Sequence, residues 1–226
     1  AHGMNDAYLA MLDRFQTAWP FAWHSEHLSF QTFRDSGGAV RDTGVPLPLP
    51  PTEEAAQLVA QRCVAIRRRY GLPFLLENAV HYLPRLPTDS GIGDDIGLMN
   101  HIVRAGGCGQ LLDLHNIYCN AVNFGFDAFA AIDRMYLDQV GEIHIAGGSW
   151  SGGFRVDAHD NVVPAAVWDL LDYALPRCRN AAGVVFEILD EHVARVGADA
   201  VAADLARARA AWRSARLQAA PAEPAT

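Results

Sequence analysis

The sequence predicts an α/β protein built on a (β/α)8-type parallel barrel, with about five β/α units visible and the first strands lacking. Short apolar runs recur along the chain, and each is followed by a stretch of helical periodicity, the alternation that lays helices over a parallel sheet. Each run also closes on a polar residue able to bind a metal: WHSEH on His27, PFLLEN on Glu77, QLLDLHN on Asp113 to Asn116, GEIHIAG on His144 and GVVFEILD on Glu187. In a parallel barrel those strand ends meet at the C-terminal mouth, where such folds keep their chemistry.

NDAYLAMLDRFQTAW has apolar residues at helical spacing with Asn5 or Asp6 placed to cap, so a first helix leads into the strand FAWHSEHL. Residues 31–51, rich in Gly and Pro, are expected to form a loop over the barrel mouth. Thr52 caps the next helix, Glu53 and Glu54 occupy its first turn and Gly71 ends it before the strand from Pro73 to Glu77. After a second mouth loop, DIGLMNHIVRAGG leads into QLLDLHN, AFAAIDRMYLDQV into GEIHIAG, and VWDLLDYALPRC into GVVFEIL. A helix from about Val201 to Gln218 follows. Residues 1–214 are read as one metal-binding domain and 215–226 as a helix end and frayed tail.

With 226 residues, 50% of them hydrophobic, the chain can bury one sizeable core. A formal charge of −8 opposes attraction to a polyanion, so nucleic acid is not expected as a partner. The dense basic run, Arg62 to Arg69, alternates with apolar residues as a solvated helix face does. Cys63, Cys108, Cys119 and Cys178 lie far apart with no CxxC pair, which disfavours a structural zinc knuckle and fits a reducing cytoplasm. No apolar run approaches the roughly 18 residues of a membrane span, so no membrane partner is expected.

Taken singly, a histidine on a strand is more often a hydrogen-bonded core residue than a ligand. Glu77, Asp113 and Glu187 are harder to dismiss, because a buried carboxylate must be paired, protonated or bound to a cation. GGSWSGGFRVDAH adds Asp157 and His159 on a glycine-rich loop, although Asp157 capping a turn and His159 standing exposed is an even alternative for that segment alone. On an extended segment Asp113 and His115 share a face, while a change of backbone at Leu114 would bring Asn116 beside Asp113 instead. Asn120 and Asn123 read as turn or cap residues, and His81, His101 and His192 as structural. His24 and His27 have odd spacing, and His27 is preferred because it ends its strand. Imidazole mixed with carboxylate suits iron, manganese or zinc.

HSEHLSF, ENAVHYLP, DLHNIYCNAVNFG, EIHIAGG, VDAHDNVVPAAVWDLL and FEILD together resemble, in order, the motifs of the multinuclear non-haem iron-dependent oxidative enzymes, which include the oxidase of methanobactin biosynthesis. The resemblance spans nearly all of residues 21–190 and implies a TIM barrel holding two or three irons of mixed valence. Carried over residue by residue, it implies His27, Glu77, Asp113, Asn116, His144, Asp157, His159 and Glu187 as ligands. His115 falls where the family tolerates other residues and ranks below them. His2 is a further candidate if His2-Gly3 is the remnant of the family's third strand; otherwise AHG merely precedes Met4 as initiator. FEILD departs from the family, which has an aromatic residue after the Glu and an Asp immediately beyond, so Asp190 is not assigned the usual role.

The resemblance further implies dioxygen-using oxidation of a cysteine in a ribosomally made peptide, often delivered with a recognition partner protein, with Tyr118 and Asn120 as residues that support the ligands. Two rival readings remain: a zinc or manganese barrel hydrolase or isomerase using the same ligands, and a truncated accessory subunit without catalysis.

Overall fold

A computed structural model describes residues 4–83 and 91–219. His2 therefore lies outside the described residues, as do residues 84–90 of the second mouth loop. Helix α1 (Asp6–Ala18) starts where the Asn5 side chain accepts the Tyr8 N–H. Strand β1 (His24–His27) follows.

Residues 31–51 are not a loop. They complete a hairpin of β2 (Ser29–Arg34) and β3 (Val40–Pro48), paired antiparallel with a register shift between Phe30 and Thr32. The reason is local: Asp35 Oδ1 accepts the N–H groups of Gly37 and Ala39 and closes the turn, so two polar-apolar alternating runs can pair.

Helix α2 (Glu53–Tyr70) is capped by Thr52, and Gly71 ends it at φ +67°, a left-handed conformation that glycine adopts without strain. Its last turn holds Arg67, Arg68 and Arg69, where cations complement the helix dipole. β4 (Phe74–Glu77) leads to α3 (Asp95–Gly106), capped by Asp94, and then to β5 (Gly109–Asp113). Helix α4 (Leu114–Phe124) begins on the residue after β5 ends, so His115 and Asn116 are helical and not part of an extended segment. Asp113 acts as its cap, accepting the Asn116 N–H at 2.6 Å.

The expected helix after residue 127 is shorter than its sequence pattern: α5 (Ala128–Asp133) gives way to a 3-10 turn at Leu137–Gln139 before β6 (Val140–Ala146). A small hairpin, β7 (Trp150–Ser151) and β8 (Phe154–Arg155), precedes α6 (Ala165–Ala174) and β9 (Val184–Glu187). The terminal helical stretch starts earlier than predicted, as α7 (Asp190–Val196) and α8 (Ala198–Ala219), broken at Gly197.

The main sheet is a curled parallel half-barrel of five strands in the order β1-β4-β5-β6-β9. Its residues alternate between faces. Phe74 and Leu76 point outward to pack with Ala56, Cys63 and Ile102 of α2 and α3. Leu112, Ile143 and Ile145 pack outward against Leu114, Val167 and Leu171 of α4 and α6. The opposite face carries Glu77, Asp113 and His144, with Glu142 one step below His144. Parallel registers place His27 beside Glu77 and Asp113 beside His144, while Glu77↔Leu111 and Ala146↔Glu187 step the strand ends by two residues, a stagger that keeps them on the same face of the sheet.

Candidate metal centre

Alternation and register together dictate that the strand-end side chains converge. Ligand-type atoms of Glu77, Asp113, His144 and Glu187 all lie within 4.8 Å of one another. His144 Nδ1 stands 3.2 Å from Glu187 Oε2 and 3.9 Å from Glu77 Oε1, aligned as a hydrogen bond to neither. His27 Nε2 approaches Glu77 Oε2 at 3.4 Å from the solvent side, with its side chain 58% exposed.

A second group adjoins the first. Asp157 Oδ1 lies 2.7 Å from His115 Nδ1 and 2.9 Å from His159 Nε2, and the latter is 3.7 Å from Glu187 Oε2. Glu187 thus stands between the two groups. Asp157 and His159 are turned into the site, which overturns the alternative of a surface turn with an exposed histidine. His159 holds φ +49°, the one described non-glycine residue with positive φ, and its carbonyl accepts the Leu189 N–H. Backbone strain of this kind is held only where the surroundings over-determine it, and it recurs at functional sites.

Several ligand-type atoms are buried without a hydrogen-bond partner: Asp113 Oδ2, Asn116 Oδ1, His144 Nδ1 and His159 Nε2. Burying such groups without a partner is costly, and a cation would satisfy carboxylate, amide oxygen and imidazole lone pairs together. Mixed oxygen and nitrogen donors suit iron, manganese or zinc, so the residues present fit a metal of that class.

The electrostatics agree. Burial raises the Glu77 carboxyl, with Glu187 and Asp157 adding to the rise against His27 and His144. Burial likewise raises Asp113 well above its ordinary value, reinforced by Asp157 and Glu77. Burial works against charge on His144, but the carboxylates of Glu142 and Glu187 outweigh it and push the imidazole up to about 10. Asp157 is held well below the usual range because its partners His115 and His159 overcome the cost of its burial. Without a cation, these shifts favour protons on Glu77, Asp113 and His144.

Residues outside the predicted set build the support. Asn78 clamps Asp113 from both sides: its Oδ1 accepts the Asp113 N–H at 2.9 Å, and its Nδ2 donates to the Asp113 carbonyl at 2.8 Å. Asn116 Nδ2 donates to the Asn78 carbonyl, which leaves Asn116 Oδ1 for the site. Glu142 faces His144 Nε2 at 3.4 Å and itself accepts the Trp23 Nε1–H at 2.6 Å, turning His144 Nδ1 toward Glu77 and Glu187. A carboxylate behind a histidine in this way fixes ring orientation at metal sites. Period-two spacing could have found Glu142, two residues before His144; nothing in the sequence marks Asn78 or Trp23.

Asn120 and Asn123 are neither turn nor cap residues but sit on α4 and tie down loops. Asn120 Oδ1 accepts the His81 N–H and its Nδ2 donates to the Ala79 carbonyl, while Asn123 makes both bonds to the Arg155 backbone. The Tyr118 ring lies 6.2 Å from that of His115, under the Arg155 guanidinium. His81 pairs with Asp95 at 2.9 Å, and His24 is buried among Phe21 and Tyr70 away from the cluster.

Comparison with known proteins places these residues in context. Residues 1–213 match the family model described as RiPP precursor modification enzyme MbnB/TglH/ChrH. A UPF0276 protein of Anaeromyxobacter sp. (strain Fw109-5) is 31% identical over 194 residues, 86% of this chain and 65% of that protein. Another, from Bordetella pertussis (strain Tohama I), is 36% identical over 156 residues, 67% of this chain and 51% of that protein. The chain thus spans about half to two thirds of the length of these curated relatives. Among solved structures, the IolI protein with a binding zinc atom aligns with a TM-score of 0.50 at 13% identity, covering 94% of this chain and 73% of that one. That likeness bears on fold alone.

Proposed function

The chain belongs to the MbnB/TglH/ChrH family of RiPP precursor modification enzymes, and from that membership and the strand-end cluster we propose that it is a multinuclear iron-dependent, dioxygen-using oxidase acting on a cysteine of a ribosomally made peptide. The observation that carries the reading is the convergence of Glu77, Asp113, His144 and Glu187 within 4.8 Å. His27, Asn116, Asp157 and His159 complete the proposed ligand set, and residues 1–214 act as one domain. When bound, irons of mixed valence supply dioxygen reduction coupled to oxidation at a thiolate-bearing residue.

The chain's own residues do the rest. Glu77, Asp113, Asp157 and Glu187 offset cationic charge, where burial first and like charge second would otherwise favour the protonated form of Glu77 and Asp113. Asn116 offers a neutral oxygen, which limits the net negative charge of the set. Glu142 and Asn78 orient His144 and Asp113, so that ligand geometry is fixed before substrate arrives. His27, on the solvent side of Glu77, stands where a peptide would approach. A recognition partner protein and a reducing cytoplasm, the latter suited to four free buried cysteines, belong to the same proposal.

Metal content by mass spectrometry tests it, on protein made with added iron and purified without oxygen, together with Mössbauer spectra. Roughly two or three irons per chain with mixed valence are expected. Stoichiometric zinc or manganese without iron would move the reading to hydrolase or isomerase chemistry, and no metal at all would point to an accessory protein. Glu77→Ala and His144→Ala are expected to lose iron while keeping the fold; full iron occupancy in both would sink the assignment.

A further inference from the structure

His115 differs from four of the ligand candidates around it. Asp113, Asn116, His144 and His159 each carry a buried atom without a hydrogen-bond partner, whereas both nitrogens of the fully buried His115 ring are engaged. Nδ1 lies 2.7 Å from Asp157 Oδ1, and the Cys119 Sγ lies 3.6 Å from Nε2. We infer that His115 is a positioning residue and not a ligand: it donates Nδ1–H to Asp157 and thereby fixes the glycine-rich loop that carries Asp157 and His159 onto α4. The inference rests on the metal-centre reading above.

Three observations support it. An N–H donated to a carboxylate at this distance is charge-assisted and short, the kind of bond that sets a side-chain rotamer. With the proton on Nδ1, Nε2 is left as an acceptor for the Cys119 thiol, and burial keeps that thiol protonated by raising it well above its ordinary value. The loop has been shaped around the ring, because a Cβ on Gly148 would meet His115 Cε1 at 2.9 Å.

The same loop is fastened at two further points. Asn123, also on α4, makes paired bonds to the Arg155 backbone at 2.7 and 2.9 Å, and Tyr82 Oη accepts the Asp157 N–H at 3.1 Å. The backbone is therefore held at Arg155 and at Asp157 itself, and among the described residues His115 is the α4 side chain that reaches the Asp157 carboxylate. Helix α4 thus places two groups at once: Asp113 and Asn116 at its start, and Asp157 through His115.

The test compares His115→Asn with His115→Leu. Asn keeps an N–H donor bonded to Cγ, as Nδ1 is, and deletes Nε2; Leu deletes both. Cobalt(II) is titrated without oxygen into metal-free protein, reading the number of ions by dialysis and their surroundings by d–d absorption, with Asp157→Ala and His159→Ala as references. His115→Asn is expected to bind as many ions as wild type with the wild-type spectrum. His115→Leu is expected to bind the ion shared with Asp157 and His159 about 10–100-fold more weakly. Loss of one ion in His115→Asn, with a spectral change as large as in His159→Ala, would make Nε2 a ligand and overturn the inference. So would a His115→Leu protein indistinguishable from wild type. Failure of the wild-type protein to bind any cobalt would instead refute the metal-centre reading itself. Should His115→Leu not fold, which thermal melting reports, His115→Asn decides alone.

Discussion

Gly148→Ala is the smallest change that should disturb the centre without touching a ligand. A Cβ at this position would stand 2.1 Å from the Val156 carbonyl oxygen and 3.2 Å from the Ala158 nitrogen, the two neighbours of Asp157. An ordinary carbon–oxygen approach is about 3.3 Å, so the backbone carrying Asp157 must retreat by roughly 1 Å. The clash is with backbone, not with the end of a flexible side chain, which places the cost near the upper end of overpacking, about 3 kcal/mol. Stiffening of the unfolded chain returns about 0.4–1 kcal/mol, leaving a net loss of about 2 kcal/mol. For a chain of this size that is a fall in melting temperature of about 4–8 °C. The assay is thermal and urea unfolding of the metal-free protein, with cobalt titration beside it. Gly183→Ala is the control: its Cβ meets nothing within 4 Å and its φ is not positive, so it should be neutral or gain about 0.4–1 kcal/mol. A Gly148→Ala protein within about 0.5 kcal/mol of wild type and unchanged in cobalt binding would refute the packing argument.

Leu171→Ala, at a fully buried position between α6 and the sheet, should cost about 2–5 kcal/mol in urea unfolding with an unchanged m-value. Asn123→Ala removes two backbone bonds to Arg155 and should cost about 1–3 kcal/mol while weakening metal binding; loss of stability alone would mean that the loop is held elsewhere. His144 is raised from 6.5 to about 10, so in metal-free protein its contribution is complete below 6.5 and is lost as pH rises through about 10. Urea midpoints across that window should fall, and should fall less in Glu142→Gln; a flat profile in wild type would contradict the geometry. Added metal should raise the melting temperature, with about 2.7 kcal/mol gained at one hundred times the dissociation constant, and a chelator should reverse it.

The strands and the residues that end them were legible because buried parallel strands are short apolar runs, and a polar residue closing each one stands out. All five strands of the half-barrel were found this way. The hairpin at 29–48 was missed because its glycines and prolines mimic a loop, while the Asp35 turn that pairs its arms is a local hydrogen-bond motif. Position 115 stayed ambiguous because the switch from strand to helix at Leu114 is set by Asp113 capping α4, and capping depends on a side chain that periodicity ignores. Trp23, just before β1, and Glu142 of β6 meet across 119 residues of chain, a contact that no local pattern encodes. The roles of Asn78 and Asn123 are likewise tertiary: each serves the backbone of a distant segment.

The strand order also governs when the centre can come into being. His27 and Glu187 end the two outermost strands of the sheet, with the remaining strand-end residues between them. An unfolded or half-folded chain offers an ion only local pairs, such as Asp113 with Asn116 or Asp157 with His159. Parallel pairing is slow because each strand must wait for its crossover helix. At the proposed centre metal capture would therefore follow folding rather than guide it, and the finished sheet, not the raw affinity ranking of divalent ions, would select what is admitted.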